Sequence, residues 1–224
     1  MTAPPGEPGA TRARLEGITD TIRVGLGAAN AAREAALPSC RATIRSASRA
    51  IRAVHRGELD AVARHLAEAE TSVRAAQRTL APFPSLAHAG FLHDAEKEYA
   101  EARLTEALVA GVPAPGPDEL GVEATAWMRG LAEAASELRR QALDRLRRDD
   151  VAQAEKMLDA MDDVYAVLVT IDYAEALTGG LRRATDALRA VLERTRGDVT
   201  SALVAERVRS ALSDPPPHNP RLRT

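Results

Sequence analysis

His93-Asp94-Ala95-Glu96-Lys97-Glu98-Tyr99-Ala100-Glu101-Ala102 reads as the middle of a helix, with Leu86, Phe91, Leu104 and Leu108 as its apolar markers. Glu98 and Glu101 stand three apart, so their carboxylates share one face, a turn apart. A second acidic pair, Glu133 and Glu137, lies at i and i+4 in Gly130-Leu131-Ala132-Glu133-Ala134-Ala135-Ser136-Glu137-Leu138. Between the pairs runs a helix-hostile loop, Gly111-Val112-Pro113-Ala114-Pro115-Gly116-Pro117. In an antiparallel hairpin, residues at equal distance from the turn sit level. The pairings 98 with 137 and 101 with 133 both centre on about residue 117, inside that loop, for helices of equal rise. The spacing therefore predicts four carboxylates converging on one point, a candidate cation site.

Working outward, the chain alternates helical patterns with breakers and shows no strand pattern. Leu15, Ile18, Ile22, Leu26, Leu37, Cys40, Ile44, Ile51 and Val54 mark one long helix from about 11 to 56, which Gly57 ends. Helices are expected next at 58–80, 85–110, 121–148, 151–177, 181–196 and 201–212, separated by Ala81-Pro82-Phe83-Pro84, the proline loop, Asp149-Asp150, Thr178-Gly179-Gly180 and Gly197. The fold class is all-α, with about seven helices in one domain over 11–213. Tails at 1–10 and 214–224, rich in proline and glycine, are expected to be disordered.

Composition narrows the function classes. The formal net charge of −2 argues against a chain wholly devoted to nucleic acid. Aromatics make up 3% of the residues, so Ala- and Leu-rich helices must approach closely to build a core. A lone cysteine, Cys40, excludes an intramolecular disulfide and a cysteine-based zinc site. No apolar run reaches membrane-spanning length and no signal-peptide core is visible, which leads to the expectation of a cytoplasmic protein without a membrane partner.

Charge is unevenly placed. Arg41, Arg45, Arg49, Arg52 and Arg56 step by 4, 4, 3 and 4, within about an 80° arc of one helix. Such a stripe is either a solvated face or a track for phosphates. With few aromatics to stack on bases, binding would be led by the backbone and weakly sequence-specific.

Several motifs in order carry a family resemblance: Ser39-Cys40-Arg41, Ile51-Arg52-Ala53-Val54-His55-Arg56-Gly57, Glu98-Tyr99-Ala100-Glu101-Ala102, Gly130-Leu131-Ala132-Glu133 with Glu137-Leu138, Leu177-Thr178-Gly179-Gly180-Leu181-Arg182-Arg183 and Leu192-Glu193-Arg194-Thr195-Arg196-Gly197-Asp198-Val199-Thr200. Together they resemble the translin / translin-associated factor X family from about residue 12 to 210. The resemblance implies a seven-helix bundle assembling into a hollow homo-octamer that handles short single-stranded RNA or DNA. It also implies, nearer the translin-associated factor X branch, a magnesium-dependent endoribonuclease, with manganese as an alternative metal. Its two glutamates in the Glu-Tyr-x-Glu motif fall on Glu98 and Glu101, the third carboxylate on Glu133 and the fourth on Glu137. The third is an aspartate in animal relatives and a glutamate here.

Independently of the resemblance, hard divalent cations take oxygen ligands, and carboxylates on two helices can supply them and orient a water for in-line attack on a phosphodiester. The plain alternative is four surface glutamates paired with Arg103, Arg139 and Arg140. A ferritin-like di-iron centre needs Glu-x-x-His, and no histidine here has a glutamate three residues before it. Two function classes remain: a metal-dependent endoribonuclease on single strands, and a non-catalytic single-strand binder of the same architecture.

Overall fold

The computed structural model describes residues 10–87 and 90–213, all in helices, turns and short connections. The expected tails fall outside the described residues, except for Ala10, which opens the first helix. Among the described residues there are α1 (Ala10–Arg56), α2 (Leu59–Leu80), α3 (Pro84–Ala87), α4 (Gly90–Ala110), α5 (Pro117–Leu120), α6 (Ala124–Leu146), α7 (Val151–Leu168), α8 (Glu175–Thr178) and α9 (Leu181–Ser213). Three of these are single turns, so the bundle is built from six long helices.

The differences from the expected boundaries have local causes. The helices expected at 181–196 and 201–212 are one helix, because Gly197 sits on an open face with nothing within 4 Å of a would-be Cβ and costs α9 only propensity. The helix expected at 151–177 stops at Leu168, and residues up to Ala174 turn before the single turn of α8. Asp149 takes φ +58°, and the Asp150 side chain accepts a hydrogen bond from the Gln153 amide at 3.2 Å, capping α7 as its sequence suggests. The proline loop is pinned to α6 by Trp127, whose Nε1 donates to the Pro115 carbonyl at 2.9 Å.

The core follows the shortage of large side chains. Leu104, Leu131, Leu138, Met161, Leu188 and Leu192 form one cluster shared by α4, α6, α7 and α9, with Ala69 and Val73 of α2 joining it. Tyr99, at 2% exposure, is also part of this cluster. Where α1 meets α2 and α4, alanines are interleaved with larger aliphatics: Ala47, Ala50 and Ala53 with Ile51, Val62 and Leu66 in one cluster, Ala36, Ala76 and Ala95 with Leu80 and Leu92 in another. Cys40 lies in the second of these, and burial pushes its thiol up to about 11, which keeps it unreactive. The first half of α1 takes no part. Residues 10–28 are exposed throughout, including Leu15, Ile18, Ile22 and Leu26.

Candidate functional site

The acidic centre is built by α4 and α6, which run antiparallel across the proline loop. Gly130 sets how closely they approach. A Cβ placed there would lie 2.9 Å from both the Lys97 carbonyl oxygen and the Glu101 amide nitrogen, so only glycine lets the two backbones touch. Gly130 against Ala100, and Glu133 against Lys97, centre the hairpin on about residue 115 rather than 117. That offset moves each level partner by about one helical turn. It brings Glu133 opposite Lys97, and it leaves Glu137 beyond the level of Glu98.

The consequence is a trio rather than a quartet. Carboxylate oxygens of Glu98, Glu101 and Glu133 all lie within 4.8 Å of one another. Lys97 reaches into their midst. Its Nζ stands 2.9 Å from Glu98 Oε1 and 4.0 Å from Glu101 Oε2, and it also hydrogen-bonds Glu133. Glu137 is held from the other side: its Oε2 accepts from His55 Nε2 at 2.6 Å, and His55 Nδ1 faces Gln141 Nε2 at 3.1 Å. With the Gln141 amide donating to Nδ1, the proton of the neutral ring sits on Nε2 and points at Glu137.

Electrostatics single out Glu101, the most buried of the four. Burial, and then the negative charges of Glu133 and Glu98, push its carboxyl up to about 8 against the pull of Lys97, with a smaller push from Glu137. Burial works against the charge on Lys97, yet its hydrogen bonds with Glu133 and Glu98 outweigh that and hold its ammonium above its ordinary range. The cluster therefore carries more negative charge than one ammonium satisfies.

The donor set fits a hard divalent cation. Every ligand atom is a carboxylate oxygen, and oxygens on opposite sides of a magnesium ion stand about 4.2 Å apart. Shifts of a few tenths of an ångström would close the observed spread, with Lys97 yielding part of its place. Glu98, Glu101 and Glu133 would hold the ion, and Glu137 would stand beside them.

Two of the three arginines named in the plain alternative pair elsewhere. Arg103 lies 4.0 Å from Glu106, and Arg139 pairs with Asp198 at 2.9 Å. Lys97 and His55 are the partners that sequence reasoning passed over. Lys97 could have been found, since it sits in the same turn as Glu98 and Glu101. Contact between His55 and Glu137 joins positions 82 apart and leaves no local signal.

All five stripe arginines are exposed on α1. Arg56 is tied to Glu58 by two hydrogen bonds of 2.6 and 2.7 Å. Among the described residues no ion pair involves Arg41, Arg45, Arg49 or Arg52.

With this geometry in place, known proteins can be compared. No family model matches the chain. An uncharacterized protein of Methanocaldococcus jannaschii is 30% identical over 135 residues, which are 60% of this chain and 60% of that protein. The chain thus aligns with less than two thirds of that relative's length. Solved structures match further. AfC3PO in complex with duplex RNA superposes with a TM-score of 0.78 and 29% identity, over 84% of this chain and 97% of its own. A second crystal structure of AfC3PO gives 0.77 and 28% over the same shares. These are translin-family structures. The fold of this chain is of the translin type. Apo-NeC3PO, at 16% identity and a TM-score of 0.73, shows the same translin fold and nothing further. Among the described residues, no helix is long and apolar enough to cross a membrane.

Proposed function

We propose that this chain is a divalent-cation-dependent endoribonuclease of the translin-associated factor X branch. It acts on single-stranded RNA, with single-stranded DNA as a second substrate, inside a homo-octamer. The observation that carries this reading is the convergence of Glu98, Glu101 and Glu133 from two helices within 4.8 Å. The capture of AfC3PO with duplex RNA supports RNA as the ligand class.

Magnesium, or manganese in its place, would supply concentrated positive charge against the phosphate oxygens and lower the pKa of a water. The chain's own residues do the rest. Glu98, Glu101 and Glu133 fix the cation, and Glu101 releases the proton it holds at neutral pH when a cation offsets its neighbours' charge. Lys97 keeps a positive charge beside the developing charge on phosphate. Glu137, oriented by His55 Nε2–H, accepts the proton of the attacking water.

One observation favours a second reading. The Lys97 ammonium already stands among the three carboxylates, as a structural counter-ion would. On that reading the chain binds nucleic acid without cutting it.

Incubating purified protein with labelled single-stranded and duplex RNA, with magnesium or EDTA, separates the two. Cleavage that EDTA abolishes, and that Glu101→Gln abolishes while RNA binding persists, is the expected result. Binding without cleavage in magnesium and in manganese gives the second reading. Parental cleavage rates in both Glu98→Gln and Glu101→Gln would place the nuclease site elsewhere.

A further inference from the structure

An acidic centre repels the phosphates it must hold, so cationic groups have to stand beside it. The α1 stripe is poorly placed for this, because its arc lies across α1 from the face buried against α2 and α4. Glu133, however, lines a second feature. A cleft of about 460 Å³ runs from Glu133 along Arg129 of α6 to Glu175, Gly179, Gly180 and Arg183, at the start of α9. Gly179 and Gly180 adopt φ of +56° and +95°, a reversal after which α9 packs along α6 and α7. A Cβ on Gly180 would lie 3.9 Å from Arg129 Nε, and one on Gly179 would lie 3.9 Å from His93 Nε2. The start of α9 is thereby anchored next to the acidic centre.

The two guanidinium groups in this cleft are weakly committed. Among the described residues Arg129 has only Asp94 as an ion-pair partner, at 4.0 Å, and that carboxylate is 58% exposed. Arg183 is exposed, and among the described residues its guanidinium makes no hydrogen bond or ion pair. Of the two carboxylates lining the cleft, Glu133 shares the Lys97 ammonium with Glu98 and Glu101. Glu175 is left alone against two arginines.

We propose that this cleft is a phosphate subsite for RNA, in which Arg183 and Arg129 hold a phosphate of the strand whose next phosphodiester lies at Glu98, Glu101 and Glu133. Guanidinium forks suit this ligand because they meet phosphate oxygens in pairs. The position of the subsite relative to the reacting bond rests on the nuclease reading; the binding itself does not.

The test measures binding of a fluorescent single-stranded RNA by anisotropy across a salt series, in EDTA so that the strand stays intact. Arg183→Ala, chosen because Arg183 is exposed and unpaired, should weaken binding roughly tenfold or more, as loss of one charged hydrogen-bond contact does. It should also lower the salt slope by about one. Adding Arg129→Gln should lower the slope further. Arg189→Ala, on α9 but outside this cleft, should leave both unchanged. Circular dichroism and light scattering confirm that each variant keeps its fold and assembly. An unchanged affinity and slope in folded Arg183→Ala, or an equal loss in Arg189→Ala, overturns the subsite. A parent that binds with the expected slope but never cleaves removes the nuclease reading and leaves the subsite standing.

Discussion

Gly130 of α6 lies against the backbone of Glu101 on α4, so close that a Cβ there would sit 2.9 Å from the Glu101 amide nitrogen. The contact is backbone to backbone, and no flexible side chain can yield. Gly130→Ala must therefore push the two helices apart at the level of the acidic trio. We expect a loss of about 1–3 kcal/mol, as for other overpacked cores, even though alanine is the better helix former. Chemical denaturation measures it. A variant as stable as the parent would show that the close approach is not held in solution.

Glu101 makes stability depend on pH in a definite direction. Its folded carboxyl is pushed up to about 8 from an ordinary 4.5, so the folded state keeps a proton that the unfolded chain loses first. The stability this group contributes is complete below about 4.5 and is lost as pH rises through about 8. Without divalent cations, the parent's melting temperature should fall across this window relative to that of Glu101→Gln. Parallel curves for the two proteins would remove the argument.

Relief of the same repulsion by a cation should be visible without any RNA. Magnesium at 100 times its dissociation constant stabilises by about 2.7 kcal/mol through mass action. Thermal melts should show this rise in the parent and lose it in Glu98→Gln. Glu155→Gln is the control. Glu68 would serve poorly, because its carboxylate accepts from Ser46 at 3.3 Å and pairs with His65 at 3.0 Å. An equal magnesium shift in parent and Glu98→Gln argues against the trio as the binding site.

The arginine stripe gives its own prediction. If Arg45 and Arg49 meet phosphates, replacing both by glutamate should weaken binding of every RNA sequence about equally and flatten the salt dependence. A folded double variant with parental affinity returns the stripe to a solvated face.

Assembly is tested on the exposed half of α1. Leu15, Ile18, Ile22 and Leu26 fall on one side of the helix and are 47–65% exposed, an apolar face without a partner among the described residues. In the proposed octamer such a face is covered. Light scattering should give an octamer for the parent and smaller species for Ile18→Asp with Ile22→Asp. A monomeric parent at micromolar concentration would sink the assembly and the cage with it.

The sequence by itself determined the class of fold and the identity of the acidic residues. Apolar residues recur at helical spacing from Leu15 to Leu212, and the breakers Gly57, Pro82, Pro113, Pro115 and Gly179-Gly180 all lie between helices, because backbone preferences act locally. Glu98 and Glu101 share a face for the same local reason. Tertiary structure decided what those residues meet. The register of α4 against α6 is set by the close approach at Gly130, not by the midpoint of the loop, and that register admits Glu133 to the trio while giving Glu137 to His55. Close carboxylates on two helices already imply one raised carboxyl, but that it is Glu101 was out of reach of sequence, since it depends on burial and on the register of the other helix. Gly197 failed as a breaker because a helix supported by packing on both sides of an exposed glycine tolerates its modest cost.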